Sequence, residues 1–546
     1  MLALLAPVDR ENPPKLAYGT AGFRTEASRL IVAMERVGML AGARSAEKGG
    51  AAVGVMITAS HNPVQDNGVK IVDPTGAMLA ADWEPKAEAL ARAPASKLAD
   101  ALAAVSTAKG PAIVVVGRDT RPHSRALQAR VVAGARALGA EVVDVGVVTT
   151  PQLHHCVRAR NGFEEPPPGP LHGYAEGLAV AFEALVETGV HPPGRADATL
   201  VVDCAGGVGF YALEGFKRRL EAAGLAAVLS LRAANRPGAA PLNEGCGAEY
   251  LQKQRLAPRC LAYADLGAPN VRCCAFDGDA DRVVYCYHRF AGGFRILDGD
   301  KIACLLATFV KKELQAATPL LATTPSLGVV QTAYANGAAA KYLKGKGIAV
   351  TYAKTGVKYV HHAAEAFDVG VYFEANGHGT VLVRDDLRAT LRRLVTTAHP
   401  RDPPRAKLAV RRLDAVARLA NQAVGDALAD ALLVEGVLCA TGSDVEKWDA
   451  AYDDAPSRQL KQKVASRGAL EPNATETRLV APAALQQKID ALAAAAPSGR
   501  AFVRPSGTED VVRVYAEAAT RPAADALALE VQRAVYDLAG GLDERP

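Results

Sequence analysis

Residues 112–150 read AIVVVGRDTRPHSRALQARVVAGARALGAEVVDVGVVTT. The apolar run AIVVV at residues 112–116 is typical of a buried strand, and EVVDVGVV at residues 141–148 predicts the next strand. Between them, RALQARVVAGARALGA predicts a helix, with Ser124 as its N-cap. A strand, a helix and a further strand in this order predict a βαβ unit, and therefore a parallel sheet covered by helices.

The same alternation of short apolar strands with longer helical stretches continues along the chain. Polar or Pro-rich breaks, such as HPPGRAD at residues 191–197, separate fresh starts of strand and helix. We therefore expect four domains, at residues 1–190, 191–297, 298–455 and 456–546. The first three have the pattern of α/β units, and the last has the pattern of a smaller α+β unit.

The composition is that of an ordinary globular protein, since 49% of the 546 residues are hydrophobic and 22% are charged. The 63 basic and 58 acidic residues leave a net charge of +5, which is too small to indicate nucleic acid and suits an anionic small substrate. Nine cysteines without paired spacing indicate free thiols. Because the chain shows no signal-peptide pattern and no apolar run of about 20 residues, we expect a cytoplasmic protein without a membrane partner.

A candidate nucleophile follows the apolar strand in VMITASHNP, at residues 55–63. Ser60 at a strand end is an unhindered nucleophile, and His61 beside it can exchange protons. Lys70, on the next apolar stretch, can neutralise a phosphate. Taken alone, a serine and a histidine adjacent in sequence are also compatible with an ordinary polar turn.

A candidate metal site follows in DGDADR, at residues 277–282. In extended chain, Asp277, Asp279 and Asp281 project to one side, and so many like charges favour a bound cation, Mg²⁺ above others. An EF-hand is excluded, because its loop needs glycine where Arg282 stands and glutamate where His288 stands. A solvated acidic turn is the alternative.

A candidate sugar-binding loop is FEANGHGT, at residues 373–380. Glu374 and Asn376 can bind paired hydroxyls or an amide. His378 lies between two glycines, which we expect to keep its ring accessible and mobile, although a structural histidine is the alternative.

A candidate phosphate cradle is RPSGTED, at residues 504–510. Arg504 supplies a planar fork of donors, while Ser506 and Thr508 supply hydroxyls. Gly507 lets backbone amides face an anion, and Arg513 follows on the next strand. A generic polar turn is again the alternative for this motif alone.

In combination, these loops resemble the α-D-phosphohexomutase superfamily, through YGTAGFR (residues 18–24), TASHNP (58–63), DGDADR (277–282) and RPSGTED (504–510). The resemblance covers essentially the whole chain. It implies three related α/β domains with mixed sheets plus a C-terminal α+β domain, with the active site in the central cleft. It also implies a monomer that acts on small-molecule sugar phosphates.

Within the superfamily, the chain is most similar to the eukaryotic subgroup that acts on N-acetylglucosamine phosphate and serves UDP-N-acetylglucosamine biosynthesis. Asn376 stands where the glucose and mannose enzymes typically carry serine. The serine loop also precedes GRDTRP (residues 117–122), the reverse of the order in the other mutases. Two alternatives stay open: the same chemistry on glucose or mannose phosphate, and a catalytically inactive sugar-phosphate sensor.

The resemblance also implies roles for individual residues. A phosphoserine at Ser60 would share one Mg²⁺ ion with Asp277, Asp279 and Asp281, and a sugar bisphosphate would be both primer and intermediate. The implied sugar-binding residues are Glu374, Ala375 and Asn376. The implied phosphate-binding residues are Arg504, Pro505, Ser506, Gly507, Thr508 and Arg513. Residues that match positions assisting phosphoryl and proton transfer are Arg24, His61, Lys70, Arg282 and His378.

Overall fold

The structure is a computed structural model. It describes residues 9–19, 22–106, 108, 110–163, 170–189, 199–266, 271–289, 293–506 and 511–546. The chain divides into two compact units, each built from several segments. The first unit consists of Met1–Gly299, Asn376–Val381 and Leu391–Ser443, and the second of Asp300–Ala375, Leu382–Thr390 and Asp444–Pro546.

Two five-stranded sheets lie in the first unit. The strands are β1 (Phe23–Glu26), β2 (Val53–Ile57), β3 (Asp66–Val72), β4 (Ile113–Arg118), β5 (Glu141–Val147), β6 (Thr199–Asp203), β7 (Ser230–Ala234), β8 (Val271–Phe276), β9 (Val283–Arg289) and β10 (Gly293–Leu297). Their orders are β1-β3-β2-β4-β5 and β10-β9-β8-β6-β7. In each sheet three neighbouring strands pair in parallel, and two antiparallel pairings then add one reversed strand, β3 or β9, and one edge strand, β1 or β10. This shared arrangement confirms related α/β domains with mixed sheets.

Three sheets hold the remaining strands. These are β11 (Leu327–Gln331), β12 (Ala349–Tyr352), β13 (Val369–Phe373), β14 (Gly379–Val383), β15 (Ser457–Lys463), β16 (Glu471–Pro472), β17 (Leu479–Ala481), β18 (Arg500–Pro505) and β19 (Val511–Glu517). Their orders are β12-β11-β13-β14, β15-β19-β18 and β16-β17. The antiparallel β15-β19-β18 sheet carries the α+β pattern expected of the C-terminal part.

The helices occupy the segments between these strands. Those before residue 299 are α1 (Ile31–Glu47), α2 (Glu84–Arg92), α3 (Leu98–Val105), α4 (Ser124–Ala137), α5 (Thr150–Arg160), α6 (Pro170–Val186), α7 (Gly209–Ala222), α8 (Gly247–Gln254) and α9 (Tyr263–Leu266). The others are α10 (Gly299–Ala317), α11 (Gly337–Gly345), α12 (Val357–Ala364), α13 (Asp385–Thr397), α14 (Pro404–Leu419), α15 (Ala427–Thr441), α16 (Val445–Asp449), α17 (Ala483–Ala495) and α18 (Arg521–Leu538). None of the helices in the described ranges is both long and apolar enough to cross a membrane.

Burial on both faces explains why β4 is continuously apolar. Val114 and Val116 pack on the α1–α4 side, whereas Val115 packs on the other side, in a cluster with Leu153 of α5. Strand residues alternate between faces, so a strand buried on both sides has apolar residues at successive positions. The parallel pairing of β4 with β5 confirms the βαβ unit predicted at residues 112–150.

The contact between α1 and α4 depends on two glycines. A Cβ atom on Gly38 would lie 2.0 Å from the carbonyl oxygen of Val131, and one on Gly134 would lie 1.9 Å from that of Glu35. Any larger residue would therefore force the two helices apart.

The predicted N-cap of α4 was wrong by one position. The helix begins at Ser124 itself, and His123 precedes it without a capping side chain. The Ser124 hydroxyl instead donates a 2.6 Å hydrogen bond to Asp119 Oδ1. The hydrogen bond that the hydroxyl donates to this buried carboxylate is stronger than the one it would accept from a backbone amide as an N-cap, because the carboxylate is charged. All nine cysteines are free, as predicted.

Candidate active site

The three aspartates lie in the first unit, in the turn that joins β8 to β9. The chain reverses here, since Phe276 and Val283 pair in antiparallel register. Ala280 has a left-handed backbone with φ 59°, and its amide donates to the carbonyl oxygen of Asp277 at 3.1 Å. The expectation of extended chain was therefore wrong. The tight turn, and not strand alternation, brings one carboxylate oxygen of each aspartate within 4.8 Å of the others.

Burial distinguishes this cluster from a solvated acidic turn. Asp277 and Asp279 are 0% exposed and Asp281 is 4% exposed. Burial, followed by the charges of Asp281 and Asp279, raises the pKa of Asp277 well above its ordinary value. Asp279 Oδ1 accepts no hydrogen bond within the described part of the chain. A divalent cation fits this site, because it would satisfy that oxygen and offset the repulsion, and oxygen-only donors favour Mg²⁺.

Ser60 contacts this cluster directly. It follows β2 with a left-handed backbone, φ 52°, and is completely buried. Its Oγ donates a 2.6 Å hydrogen bond to Asp277 Oδ2, and its amide donates to Thr58 Oγ1 at 2.9 Å. A strained non-glycine backbone that aims a hydroxyl at a charged cluster is typical of functional sites.

Two residues outside the predicted site hold the serine loop in place. Arg121, in GRDTRP, donates from Nη2 to the carbonyl oxygens of Ser60 at 3.0 Å and Asn62 at 2.8 Å. Asn243 donates from Nδ2 to the same two oxygens, at 2.8 and 3.0 Å. The available signal for Arg121 was its position in a polar turn directly after a buried strand. Nothing in the local sequence distinguishes Asn243.

Lys70 on β3 neutralises carboxylates of the cluster. Its Nζ lies 2.9 Å from Asp279 Oδ2 and 3.0 Å from Asp281 Oδ2. Burial lowers the pKa of Lys70, but these two carboxylates outweigh it and the pKa rises above its ordinary value. Thr150, also absent from the predicted site, donates from Oγ1 to Asp279 Oδ2 at 2.6 Å.

His61 lies between the serine and a glutamate. Its Nδ1 is 3.5 Å from Ser60 Oγ, and its Nε2 is 3.2 Å from Glu249 Oε2 on α8. The same glutamate oxygen accepts from Arg282 Nη1 at 3.0 Å. Burial, with the positive charges of Arg282 and Arg24, lowers the pKa of His61 well below its ordinary value. This shift favours the neutral ring, and because a carboxylate can only accept, we assign the ring proton to Nε2 toward Glu249, which leaves Nδ1 facing the serine.

Arg24 adds a further positive charge to the serine loop. Its Nη1 donates to Asn62 Oδ1 at 3.2 Å. Burial, together with the charge of Arg282, lowers the pKa of Arg24, and the three aspartates oppose that shift. These contacts place Arg24 beside the same cluster as Lys70.

His378 also reaches the aspartate cluster. Its Nδ1 is 3.4 Å from Asp281 Oδ1, and it is 4% exposed, so the expectation of an accessible, mobile ring was wrong. Gly377, with φ 87°, explains the burial, because a Cβ atom there would lie 2.1 Å from the carbonyl oxygen of Val283. The glycine lets the loop pack against the β8–β9 hairpin, and Asn376 Oδ1 closes the turn by accepting from the His378 amide at 3.0 Å.

The second unit contains the phosphate-cradle candidates. Arg504 and Arg513 face each other as cross-strand partners on β18 and β19. Like charges in this relationship repel, so an anion between them is favourable. Glu476 Oε2 already accepts from Arg504 Nε at 2.6 Å, and Arg467 donates to the carbonyl oxygen of Ser506 at 2.8 Å. Gly507 and Thr508 lie outside the described residues.

The sugar-loop candidates fall on both sides of the division between the units. Glu374 and Ala375 follow β13 in the second unit, and Asn376 begins the next segment of the first. Glu374 Oε1 accepts from the Gly356 amide at 3.3 Å. Of the predicted site residues, the structure brings together one group in the first unit, namely Arg24, Ser60, His61, Lys70, Asp277, Asp279, Asp281, Arg282 and His378. The described cradle residues Arg504, Pro505, Ser506 and Arg513 form a separate group in the second.

Family models match three parts of the chain. The model described as "Phosphoacetylglucosamine mutase AMG1, domain III" matches residues 298–443. The phosphoglucomutase/phosphomannomutase models match residues 39–95 and 83–165 for domain I, and 460–534 for the C-terminal domain.

Full-length relatives agree with the models. The phosphoacetylglucosamine mutase of Sus scrofa is 45% identical, over 97% of this chain and 96% of its own. The Aspergillus fumigatus N-acetylphosphoglucosamine mutase, solved with GlcNAc-6P and magnesium, is 40% identical with a TM-score of 0.87, over 98% of this chain and 97% of its own. A serine-to-alanine variant of that enzyme, solved with glucose 1,6-bisphosphate, is 40% identical with a TM-score of 0.86, over 98% of both chains. By this similarity along its whole length, the chain belongs to the phosphoacetylglucosamine mutase family.

Proposed function

We propose that this chain interconverts N-acetylglucosamine 6-phosphate and N-acetylglucosamine 1-phosphate, by way of a phosphoserine at Ser60 and a sugar bisphosphate. The observation that carries the proposal is the 2.6 Å contact of Ser60 Oγ with Asp277, inside a buried cluster of three aspartates. The relatives support the acetamido sugar as substrate, because one of them binds GlcNAc-6P with magnesium.

Asp277, Asp279 and Asp281, with the phosphate on Ser60, would hold one Mg²⁺ ion. When bound, the ion would withdraw charge from the phosphoryl oxygens during transfer. Lys70, Arg24 and Arg282 add fixed positive charge around the same oxygens, in a site from which burial excludes water. Exclusion of water matters here because water would otherwise hydrolyse the phosphoserine.

The first transfer breaks the bond between phosphorus and Ser60 Oγ and forms a bond from phosphorus to a sugar hydroxyl oxygen. The proton that the sugar hydroxyl releases balances the one that Ser60 Oγ gains, so the first transfer takes up and releases no net proton. His61 is suited to the return transfer, in which its unprotonated Nδ1 can accept the Ser60 Oγ proton while Glu249 holds the opposite nitrogen; that proton balances the one gained by the sugar oxygen that leaves phosphorus. His378 and Arg282 are proposed to assist the transfers. The resulting bisphosphate turns end for end, and its other phosphate returns to Ser60.

Such a reaction needs a second site for the phosphate that is not reacting. We assign that role to Arg504 and Arg513, which face each other across two strands and whose two positive charges favour an anion between them. Pro505, Ser506, Gly507 and Thr508 are assigned to the same phosphate loop. Glu374, Ala375 and Asn376 are assigned to the sugar. The four predicted domains, at residues 1–190, 191–297, 298–455 and 456–546, would each contribute one of these loops.

The cellular setting proposed for the enzyme follows from the same chemistry. N-acetylglucosamine 1-phosphate is the sugar phosphate consumed in UDP-N-acetylglucosamine biosynthesis, and the nine free thiols suit the reducing cytoplasm. We propose that the protein acts there as a monomer.

The test is the turnover of N-acetylglucosamine 6-phosphate with Mg²⁺ and a trace of sugar bisphosphate, with glucose 1-phosphate run in parallel. A strong preference for the acetamido sugar is the expected result. A preference for glucose phosphate would keep the phosphoserine chemistry and overturn the substrate, and no turnover of either sugar would favour the sensor.

A further inference from the structure

Glu476 lies in the second unit, in the loop between β16 and β17, and has an unusual backbone. Its φ is 55°, in the left-handed region, and it is 8% exposed. Its amide donates to the carbonyl oxygen of Asn473 at 3.0 Å, and Asn473 Oδ1 accepts from the Thr477 amide at 3.0 Å. A glutamate held in this conformation costs conformational energy, so the surrounding turn fixes the direction of its side chain.

One oxygen of that side chain joins two parts of the unit. Glu476 Oε2 accepts from Arg504 Nε at 2.6 Å and from the Thr355 amide at 3.0 Å. Arg504 belongs to the candidate phosphate cradle, and Thr355 lies in the loop between β12 and α12. The side chain therefore connects the C-terminal part of the chain to the part that carries β11–β14.

A second hydrogen bond holds the loop containing Thr355, and its acceptor belongs to the candidate sugar site. The amide of Gly356 donates to Glu374 Oε1 at 3.3 Å. A continuous set of hydrogen bonds thus runs from Arg504 through Glu476 and residues 355–356 to Glu374. It joins the group proposed to bind phosphate to a group proposed to bind sugar.

We infer that Glu476 is a positioning residue that fixes the separation between the phosphate subsite at Arg504 and the sugar subsite at Glu374. The inference rests on the proposed function, since it concerns a substrate that occupies both subsites. A carboxylate beside a phosphate site is unfavourable for anion binding alone. Glu476 contacts Nε of Arg504, whereas the terminal nitrogens of a guanidinium form the fork that suits a phosphate. Glu476 should therefore improve the binding only of a ligand that spans both subsites.

The test compares the full-length E476A variant with the wild type, using two ligands. The KM for N-acetylglucosamine 6-phosphate should rise about tenfold, because a charge-assisted hydrogen bond between the subsites is lost. The inhibition constant of inorganic phosphate, which needs only one subsite, should not rise. The E471A variant is the control, because Glu471 is exposed on β16 nearby.

Other outcomes would overturn the inference. An equal rise of both constants would mean that Glu476 only organises Arg504, and a fall or no change in KM would remove the positioning role. If E476A does not fold, E476Q decides, because its amide oxygen can still accept both bonds and its KM should stay within about threefold of the wild type. A wild type without turnover would refute the proposed function itself, whereas an active wild type with an unaltered E476A would refute only this inference.

Discussion

Ser60 Oγ donates its hydrogen bond to Asp277 Oδ2 at 2.6 Å, across 217 positions of sequence. The serine lies at the end of β2 and the aspartate at the end of β8, each in a central position of its own sheet. Side chains at the carboxyl ends of such strands are exposed to ligands in α/β folds. The two sheets therefore each supply one part of the proposed phosphoryl-transfer site.

The S60A variant should lose mutase turnover by about four orders of magnitude or more, because it removes the proposed phosphoryl carrier. Incubation with sugar bisphosphate and mass spectrometry should show one phosphate on the wild type and none on the variant. The exposed Ser96 offers a matched control, S96A, which should behave as the wild type. Appreciable turnover by S60A would exclude a covalent role for the serine.

Removal of divalent metal should abolish activity, and Mg²⁺ should stabilise the folded protein. Binding only to the folded state at 100 times the dissociation constant adds about 2.7 kcal/mol. The D279N variant should lose most of this stabilisation, since Oδ1 of Asp279 is one of the cluster's oxygens for which the described residues supply no donor. Thermal unfolding with and without Mg²⁺ measures the effect without any need for turnover. An equal gain for D279N and the wild type would place the metal elsewhere.

The sequence was sufficient for those parts of the site that lie on one short loop. Ser60 with His61, and the three aspartates, stand beside one another in the chain, so local chemistry made them candidates, with a polar turn and an acidic turn as the alternatives. The apolar runs likewise predicted β4 and β5, and burial on both faces explains the unbroken apolar run of β4. These features depend only on neighbouring residues.

Residues that act from a distance could not be found in this way. Asn243 lies in the loop before α8, and Glu249 lies at the start of α8. Their roles exist only because the second sheet places them beside the serine loop. The shape of the aspartate turn depends on the left-handed Ala280, which the sequence pattern did not indicate. The burial of His378 depends on how Gly377 packs on Val283, a contact between distant segments.

The E249A variant should reduce kcat about tenfold to a hundredfold with little change in KM, because Glu249 orients His61 and Arg282 without reaching the sugar. E249Q should recover part of this loss, since its amide oxygen can still accept from both partners. Steady-state kinetics on the acetamido sugar phosphate, with Tm values for each variant, separates misorientation from unfolding. E244Q, at an exposed position before α8, is the control. A normal kcat in E249A would show that His61 needs no such partner.

His154 should make the folded protein sensitive to mild acid. Burial lowers the pKa of this 1% exposed histidine to about 4, while its Nδ1 lies 2.6 Å from the carbonyl oxygen of Gly76. Between pH 6.5 and 4 the unfolded chain binds a proton that the folded chain refuses, so acid favours unfolding. The contribution of the neutral His154 to the free energy of unfolding is fully present above pH 6.5, and about 2 kcal/mol of it should be lost at pH 5.

Chemical denaturation at pH 7 and pH 5 measures this effect when the wild type is compared with H154N. The asparagine keeps a donor for Gly76 but cannot titrate. H154N should be less stable at pH 7, because it leaves a small cavity, and its deficit relative to the wild type should shrink by about 2 kcal/mol at pH 5. H399N, at an exposed histidine, should keep the pH dependence of the wild type. Parallel losses of stability in the wild type and H154N would show that the buried histidine is not the acid-sensitive group.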